Sequence, residues 1–134
     1  MRRLSVAPFV LAACLISTVA LAAMDRATAT FESLSSSGTH GDATLRAVPT
    51  GGTFIHAQLQ GLQPGVEYVV ALFPDNQTCA SGSVSQQVVR VTANPAGIAI
   101  FNQKVTNAIN QIGSLSVQQA SDLTVLACAA VVAQ

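Results

Sequence analysis

The sequence predicts a small all-β protein, a barrel or sandwich of eight short strands, and three observations carry this prediction. Apolar or alternating segments of strand length follow one another along most of the chain. Clusters of Gly, Pro, Asn and Thr separate them, as in residues 49–52 and 94–97, and such clusters form turns. No segment shows the 3.6-residue periodicity of an amphipathic helix. Short, evenly spaced strands of this kind pack against one another in sandwiches and barrels.

The N-terminal segment predicts export. Two arginines follow the first Met, and the apolar run over residues 4–21 is followed by small residues that a signal peptidase reads. We therefore expect residues 1–22 to be a signal peptide, with cleavage after Ala22 or Ala23. The remaining chain has about 110 residues, which suits a single domain, and we expect that domain to span residues 27–134. Its predicted location is the periplasm or the extracellular space.

A lipid anchor is an alternative fate of the same segment. Cys14 follows Leu11-Ala12-Ala13, which has the form of a lipidation box. Against this alternative, residues 15–23 stay apolar, whereas a polar tether usually follows a lipidated cysteine. A retained single-pass anchor is a third option, since the apolar run is at the short end of what spans a bilayer.

The charge composition argues against a nucleic-acid-binding surface. The chain of 134 residues has six Lys and Arg and six Asp and Glu. Without the two N-terminal arginines, four basic side chains remain against six acidic ones. No basic patch is expected to meet phosphate, so a nucleic-acid partner is not predicted.

The cysteines predict one disulfide. Two of the three lie beyond the expected signal, Cys79 and Cys128, and two cysteines in an exported chain most simply form a bridge. A Cys79–Cys128 bridge would close a loop of about fifty residues, which the chain-entropy model values at roughly 4 kcal/mol.

The strands predicted from the pattern differ in how they are buried. The third alternates polar and apolar residues, which is typical of a sheet with one wet face. The fourth is apolar on both faces, so we expect it to be central, and a long loop carrying Cys79 follows it. The eight expected strands are residues 27–34, 43–48, 53–60, 66–73, 86–92, 98–101 (extending as far as 104), 112–118 and 124–133.

Five segments in order along the chain resemble those of the copper/zinc superoxide dismutases. The resemblance covers nearly all of the chain after the expected signal. It implies an eight-stranded Greek-key β-barrel, in which the cysteine of the last strand pairs with the cysteine that follows the fourth strand. The segments are GLQPG (61–65), FPDNQTC (73–79), ANPAG (93–97), IGSLSV (112–117) and LACAAVVAQ (126–134).

The copper ligands of that family have no counterpart here. Its copper strand reads His-Val-His, and the corresponding residues are Val69, Val70 and Ala71. A later copper histidine corresponds to Gln118 or Gln119. Aliphatic side chains offer no lone pair, and an amide oxygen is a poor ligand for copper, which favours imidazole and sulfur.

The other functional parts of the family are also missing. Its zinc loop carries three histidines and an aspartate, whereas residues 80–85 contain neither. Its loop that steers superoxide is reduced to about residues 119–123, and Val125 replaces the guiding arginine. The resemblance therefore implies the scaffold without copper or zinc, and we expect no catalytic residue, metal ligand or cofactor.

The remaining polar residues do not predict another active site. We expect His56 to pair near Leu45 in a hairpin, which leaves His40 about five residues further along, too far to share a metal. Glu67 is a lone carboxylate that an arginine or lysine can pair with. No spacing of a nucleophile with these histidines supports a hydrolase.

The sequence therefore predicts an exported, non-catalytic barrel with a structural or interaction role. Its partner would be an unidentified protein or surface, and a homodimer stays open. Two alternatives remain: a divergent dismutase or metal-binding protein with a site rebuilt around His40 and His56, and a surface lipoprotein or adhesin-like module anchored through Cys14.

Overall fold

A computed structural model describes residues 25–34, 36–75 and 86–134. Its regular structure is all-β apart from one 3-10 turn, as the sequence predicts. The expected signal segment and Cys14 lie outside the described residues. The elements are β1 (Arg26–Ser33), β2 (His40–Ala47), β3 (Thr53–Gln60), β4 (Glu67–Phe73), β5 (Gln86–Thr92), β6 (Ala99–Val105), the 3-10 turn Ile109–Gln111, β7 (Ser114–Gln119) and β8 (Val125–Ala133).

The eight strands form one antiparallel sheet that nearly closes into a barrel. Their order is β5-β4-β7-β8-β1-β2-β3-β6, and every hydrogen-bonded pair is antiparallel. The two end strands, β5 and β6, contact each other. The curled sheet therefore has an inner face around one core and an outer face.

The core is built by alternation along the strands. In β3, the even-numbered side chains face outward and the odd-numbered ones, including Ile55 and Leu59, are fully buried. β4 differs because all six residues from Tyr68 to Phe73 are buried. It lies between β5 and β7, which confirms the prediction of a central strand that is apolar on both faces.

The β2–β3 hairpin differs from the prediction in register and length. Thr44, not Leu45, lies opposite His56, because Val48 joins the loop and shifts the pairing by one residue. The strand also begins at His40, within the stretch expected to be a loop. Gly41 permits this, since a Cβ there would collide with the carbonyl of Gln58 on β3.

The segments 61–65 and 93–97 form two turns that hold each other at one end of the barrel. The amide of Leu62 donates to the carbonyl of Gly97 at 3.0 Å, and that of Gly65 donates to Ala93 at 2.9 Å. Gly97 has φ +75°, and a Cβ on it would lie 2.5 Å from the carbonyl oxygen of Leu62. Glycine is therefore required at position 97 by both conformation and space.

Helical structure contributes little to the described chain. In those ranges, no helix is long and apolar enough to cross a membrane. The 3-10 turn at Ile109–Gln111 falls where the sequence leaves a loop or a single helical turn open.

Candidate functional site

The three residues that the sequence resemblance aligns with a copper strand lie on β4, and they divide between its two faces. Val70 belongs to the main core inside the barrel. Because side chains alternate along a strand, Val69 and Ala71 lie on the outer face. Ala71 packs there with Phe73 in a separate small cluster. All four residues are at most 1% exposed, so this part of the outer face is as dry as the core.

The facing strand, β7, brings polar side chains to the same buried surface. Gln118 lies directly opposite Val69, and Ser116 lies opposite Ala71. Gln118 is 0% exposed. Its Nε2 donates to Ser116 Oγ at 2.9 Å, and its Oε1 accepts no hydrogen bond from the part of the chain that the structure describes. An amide oxygen without a partner at such a buried position costs free energy.

This arrangement cannot hold copper through a redox cycle. Val69 and Ala71 have no donor atom, and the single carbonyl of Gln118 is a hard ligand, whereas copper favours nitrogen and sulfur. Over the described ranges, no three His, Cys, Asp or Glu side chains come together as a metal site. The surface can pack against other groups, but its side chains supply no chemistry for electron transfer.

Cys128 lies beside this surface. It occupies β8 opposite Ser116 and packs, half-buried, against Ala71 and Phe73. Cys79, its predicted partner, lies outside the described residues, so the pairing stays a prediction. Residues 80–85, which the resemblance aligns with a zinc loop, also lie outside them.

The chain leaves the described region next to the strands that carry Cys128 and Ser114. Asp75 is the last described residue before the gap, and its carbonyl accepts a hydrogen bond from Ser114 Oγ at 2.7 Å. Gly113 lets the two backbones touch, because a Cβ on it would lie 2.5 Å from Asp75. The entry to the stretch that carries Cys79 is thereby fixed near β7.

The two histidines lie on another part of the outer face, in separate positions. His40 is opposite Gln60 and His56 is opposite Thr44. Four residues along a strand correspond to about 13 Å. They border one groove of about 380 Å³, but they are too far apart to share a metal ion. The hypothesis of a site rebuilt around both is therefore not supported by their placement.

Each histidine has local hydrogen-bond partners. The two ring nitrogens of His40 lie 2.9 Å from the Gly38 carbonyl and 3.2 Å from Gln60 Oε1. Nδ1 of His56 lies 2.6 Å from Asn102 Oδ1. Both rings are exposed. These contacts position the histidines as surface residues and do not link either one to a catalytic group.

The charged residues singled out from the sequence have structural roles. Glu67 pairs with Arg90 at 2.8 Å across β4 and β5, which confirms that it takes a basic partner. Both side chains are about half exposed, and such pairs contribute about 0–1 kcal/mol. Val125, which the resemblance aligns with a guiding arginine, begins β8 and is half-buried.

The loop before Val125 is a short turn. Gln119 and Thr124 are joined by a 2.9 Å backbone hydrogen bond. The carboxylate of Asp122 accepts the backbone N–H of Thr124 at 3.0 Å, and this bond lowers the pKa of Asp122 below its usual value. A turn this compact leaves no room for an extended steering loop.

Comparison with known proteins does not assign this chain. Neither the models of protein families nor the curated proteins contain a match to it. The function therefore has to be inferred from the residues of the barrel themselves.

Two features of the structure were not found from the sequence. The segment SLSVQQ of β7 alternates polar and apolar residues, which indicates a wet face, yet all its residues up to Gln118 are buried. A line of cationic side chains across four strands also depends on the pairing register. The one sequence signal for these cationic side chains is that only four Lys and Arg residues follow the expected signal segment.

Proposed function

We propose that this protein is an exported, non-catalytic member of the superoxide-dismutase-like fold with a structural or interaction role. The observation that carries the proposal is the pairing of Val69 with Gln118. The resemblance places one copper ligand at Val69 and a later one at Gln118 or Gln119. Val69 and Gln118 face each other across the sheet and carry an aliphatic group and an amide.

The strand order supports the scaffold. β7, β4 and β5 are neighbours in that order, and β6 contacts β5. In a Greek key, three strands that follow one another in sequence are neighbours, and the fourth returns to lie beside the first. Here β4, β5 and β6 are the three strands, and β7 returns beside β4. The two turns with family-like sequence, 61–65 and 93–97, also hydrogen-bond to each other, so the resemblance involves residues that are adjacent in space.

The Cys79–Cys128 disulfide forms part of the proposal. Cys128 lies next to the end of β4, and only three residues separate Asp75 from Cys79 along the chain. A chain reaches roughly 3.3–3.6 Å per residue, so Cys79 is within reach of β8. The bridge would tie the loop after the central strand to the barrel.

Export follows from the N-terminal sequence, with signal cleavage after Ala22 or Ala23. Lipidation at Cys14 is the alternative. Mass spectrometry of the purified mature protein separates the two. A new N-terminus at Ala23 or Met24 supports cleavage, and an acylated N-terminal Cys14 supports the lipoprotein.

A dismutase assay tests the non-catalytic role. The purified, oxidised protein is incubated with copper and zinc, freed of unbound metal, and assayed for superoxide removal beside a His56→Ala variant. We expect both proteins to show only the buffer rate. Superoxide removal by the wild type would overturn the proposal, and its loss in His56→Ala would assign the activity to a rebuilt site.

A further inference from the structure

The outer face of β1, β2, β3 and β6 carries a line of cationic side chains. Strand pairing places Arg26 opposite Arg46, Arg46 opposite Phe54, and Phe54 opposite Lys104. All four side chains are exposed. Neighbouring strands are about 4.8 Å apart, so this cationic row crosses the whole face in about 14 Å.

The cationic row forms no ion pair within the described chain. It contains three of the four Lys and Arg residues that follow the expected signal. The fourth, Arg90, forms the one ion pair found among the described residues, with Glu67. Arg26 and Arg46 face each other directly, and like charges in that position destabilise a sheet. A negative partner would remove this cost.

The opposite end of the same face is acidic. Asp42 lies four residues from Arg46 along β2, and Glu32 lies six residues from Arg26 along β1. Both carboxylates are exposed, and Asp42 Oδ1 accepts only a 3.4 Å bond from Thr30. Between the two ends runs a row of neutral or weakly basic side chains in register: Thr28, Thr44, His56 and Asn102.

We propose that two copies of this chain associate through this face, with the cationic row of each copy against the acidic end of the other. The two-fold axis lies between the faces, runs across the strands and passes near Thr44. A rotation about this axis places Arg46 of one copy over Asp42 of the other, and the same contact occurs twice. Arg26 of each copy comes within reach of the second carboxylate, Glu32.

Charge selects this arrangement over the other aligned packing of the two sheets. An axis parallel to the strands would place each cationic row over the cationic row of its partner, which is repulsive. The axis across the strands exchanges the two ends. The axis brings Arg46 directly over Asp42, and Arg26 over Thr30, two residues from Glu32. Lys104 falls over Ile100, so the two arginines carry the charge match.

Apolar side chains on the same face add to the contact. Phe54 is 42% exposed and Ile100 is 59% exposed. The rotation brings Phe54 of one copy over Gln58 of the other. Ile100 lies beside Gln58 on the neighbouring strand. The exchange of the two ends therefore brings Phe54 of each copy near Ile100 of the other, where both lose contact with water.

The size of the face predicts a weak dimer. Four strands of eight or fewer residues cover roughly 19 Å by 26 Å, which is at the low end for a specific interface. The dimer should therefore dissociate on dilution. Because its contacts are charged and near the surface, salt should also weaken it.

A charge exchange measured by analytical ultracentrifugation tests the inference. Arg46→Glu and Asp42→Arg are each expected to raise the dimer dissociation constant by about tenfold or more, because each opposes like charges across the interface. The double variant Arg46→Glu/Asp42→Arg restores opposite charges and should restore the dimer. Arg90→Glu, on β5, is the control and should leave the association unchanged.

Three results would overturn the inference: a monomer at every concentration of the wild-type protein, single variants that dimerise as well as the wild type, or a double variant that stays monomeric while its circular dichroism spectrum is native. None of these results depends on metal binding, so the inference fails or holds independently of the proposed lack of catalysis.

Discussion

Val69 of β4 and Gln118 of β7 lie directly opposite each other, on a part of the outer barrel face that excludes water. The pair contributes contact area and one buried amide, and it offers no atom that can bind copper in both oxidation states.

Replacing Gln118 tests the cost of its amide. In the double variant Gln118→Met/Ser116→Ala, the unpartnered Oε1 and the Nε2–Ser116 hydrogen bond both disappear, so we expect the free energy of unfolding to stay within about 1 kcal/mol of the wild type or to rise. In Gln118→Glu a buried, unpaired carboxylate should lower it by about 3 kcal/mol or more. Urea unfolding at pH 7 measures both. If the two variants are equally stable, the carboxylate of Gln118→Glu must reach water, which would contradict the burial of this position.

The two turns predict different costs for the same substitution. Gly65 and Gly97 have almost the same φ, +76° and +75°, but only Gly97 has a backbone atom where a Cβ would lie. Gly65→Ala should lower the free energy of unfolding by about 1–2 kcal/mol, the cost of the left-handed conformation. Gly97→Ala should cost more, because Leu62 must also move. Urea unfolding compares them, and a smaller loss for Gly97→Ala would contradict the interlocked turns.

The proposed disulfide has a measurable signature. Cys79→Ser, Cys128→Ser and the double variant should each lower the free energy of unfolding by about 4 kcal/mol, since any one of them removes the same bridge. Reduction of the wild-type protein should have the same effect. The prediction fails if the reductant leaves urea unfolding unchanged, or if the two single losses add in the double variant.

Asp122 predicts a small dependence of stability on acid. Its pKa is lowered in the folded protein because the backbone N–H of Thr124 donates to its carboxylate. A lowered pKa stabilises the fold above the pKa of the unfolded chain, and this contribution is lost as the pH falls through the folded value. The wild type should therefore exceed Asp122→Asn in stability at pH 7, and this difference should shrink as the pH falls through the folded pKa. A difference that persists in acid would mean that the charge is not responsible.

Most of the fold could be predicted from the sequence, because turn residues and alternation mark strands locally. The pairing register of the strands could not be predicted, since it depends on how many residues the turn between them contains. Val48 in the β2–β3 loop moved the partner of His56 from Leu45 to Thr44. The predicted second strand begins too late, at residue 43. A glycine such as Gly41 usually indicates a loop, whereas here it allows close contact between two strands.

The candidate site was only partly predictable, for the same reason. The lack of metal ligands at Val69 and Ala71 is visible in the sequence itself. The burial of Gln118 is not, because alternating serines and glutamines indicate a wet face until both sides of the sheet are seen. The cationic row that includes Arg46 needs three strand registers before its members become neighbours.

The most direct test of the central claim is the amount of copper that the folded protein binds. The purified, oxidised chain is dialysed against copper, unbound metal is removed, and bound copper per chain is measured by atomic absorption. We expect well below one copper per chain, and the same amount for Val69→Ala. One tightly held copper per chain, together with removal of superoxide, would contradict the claim.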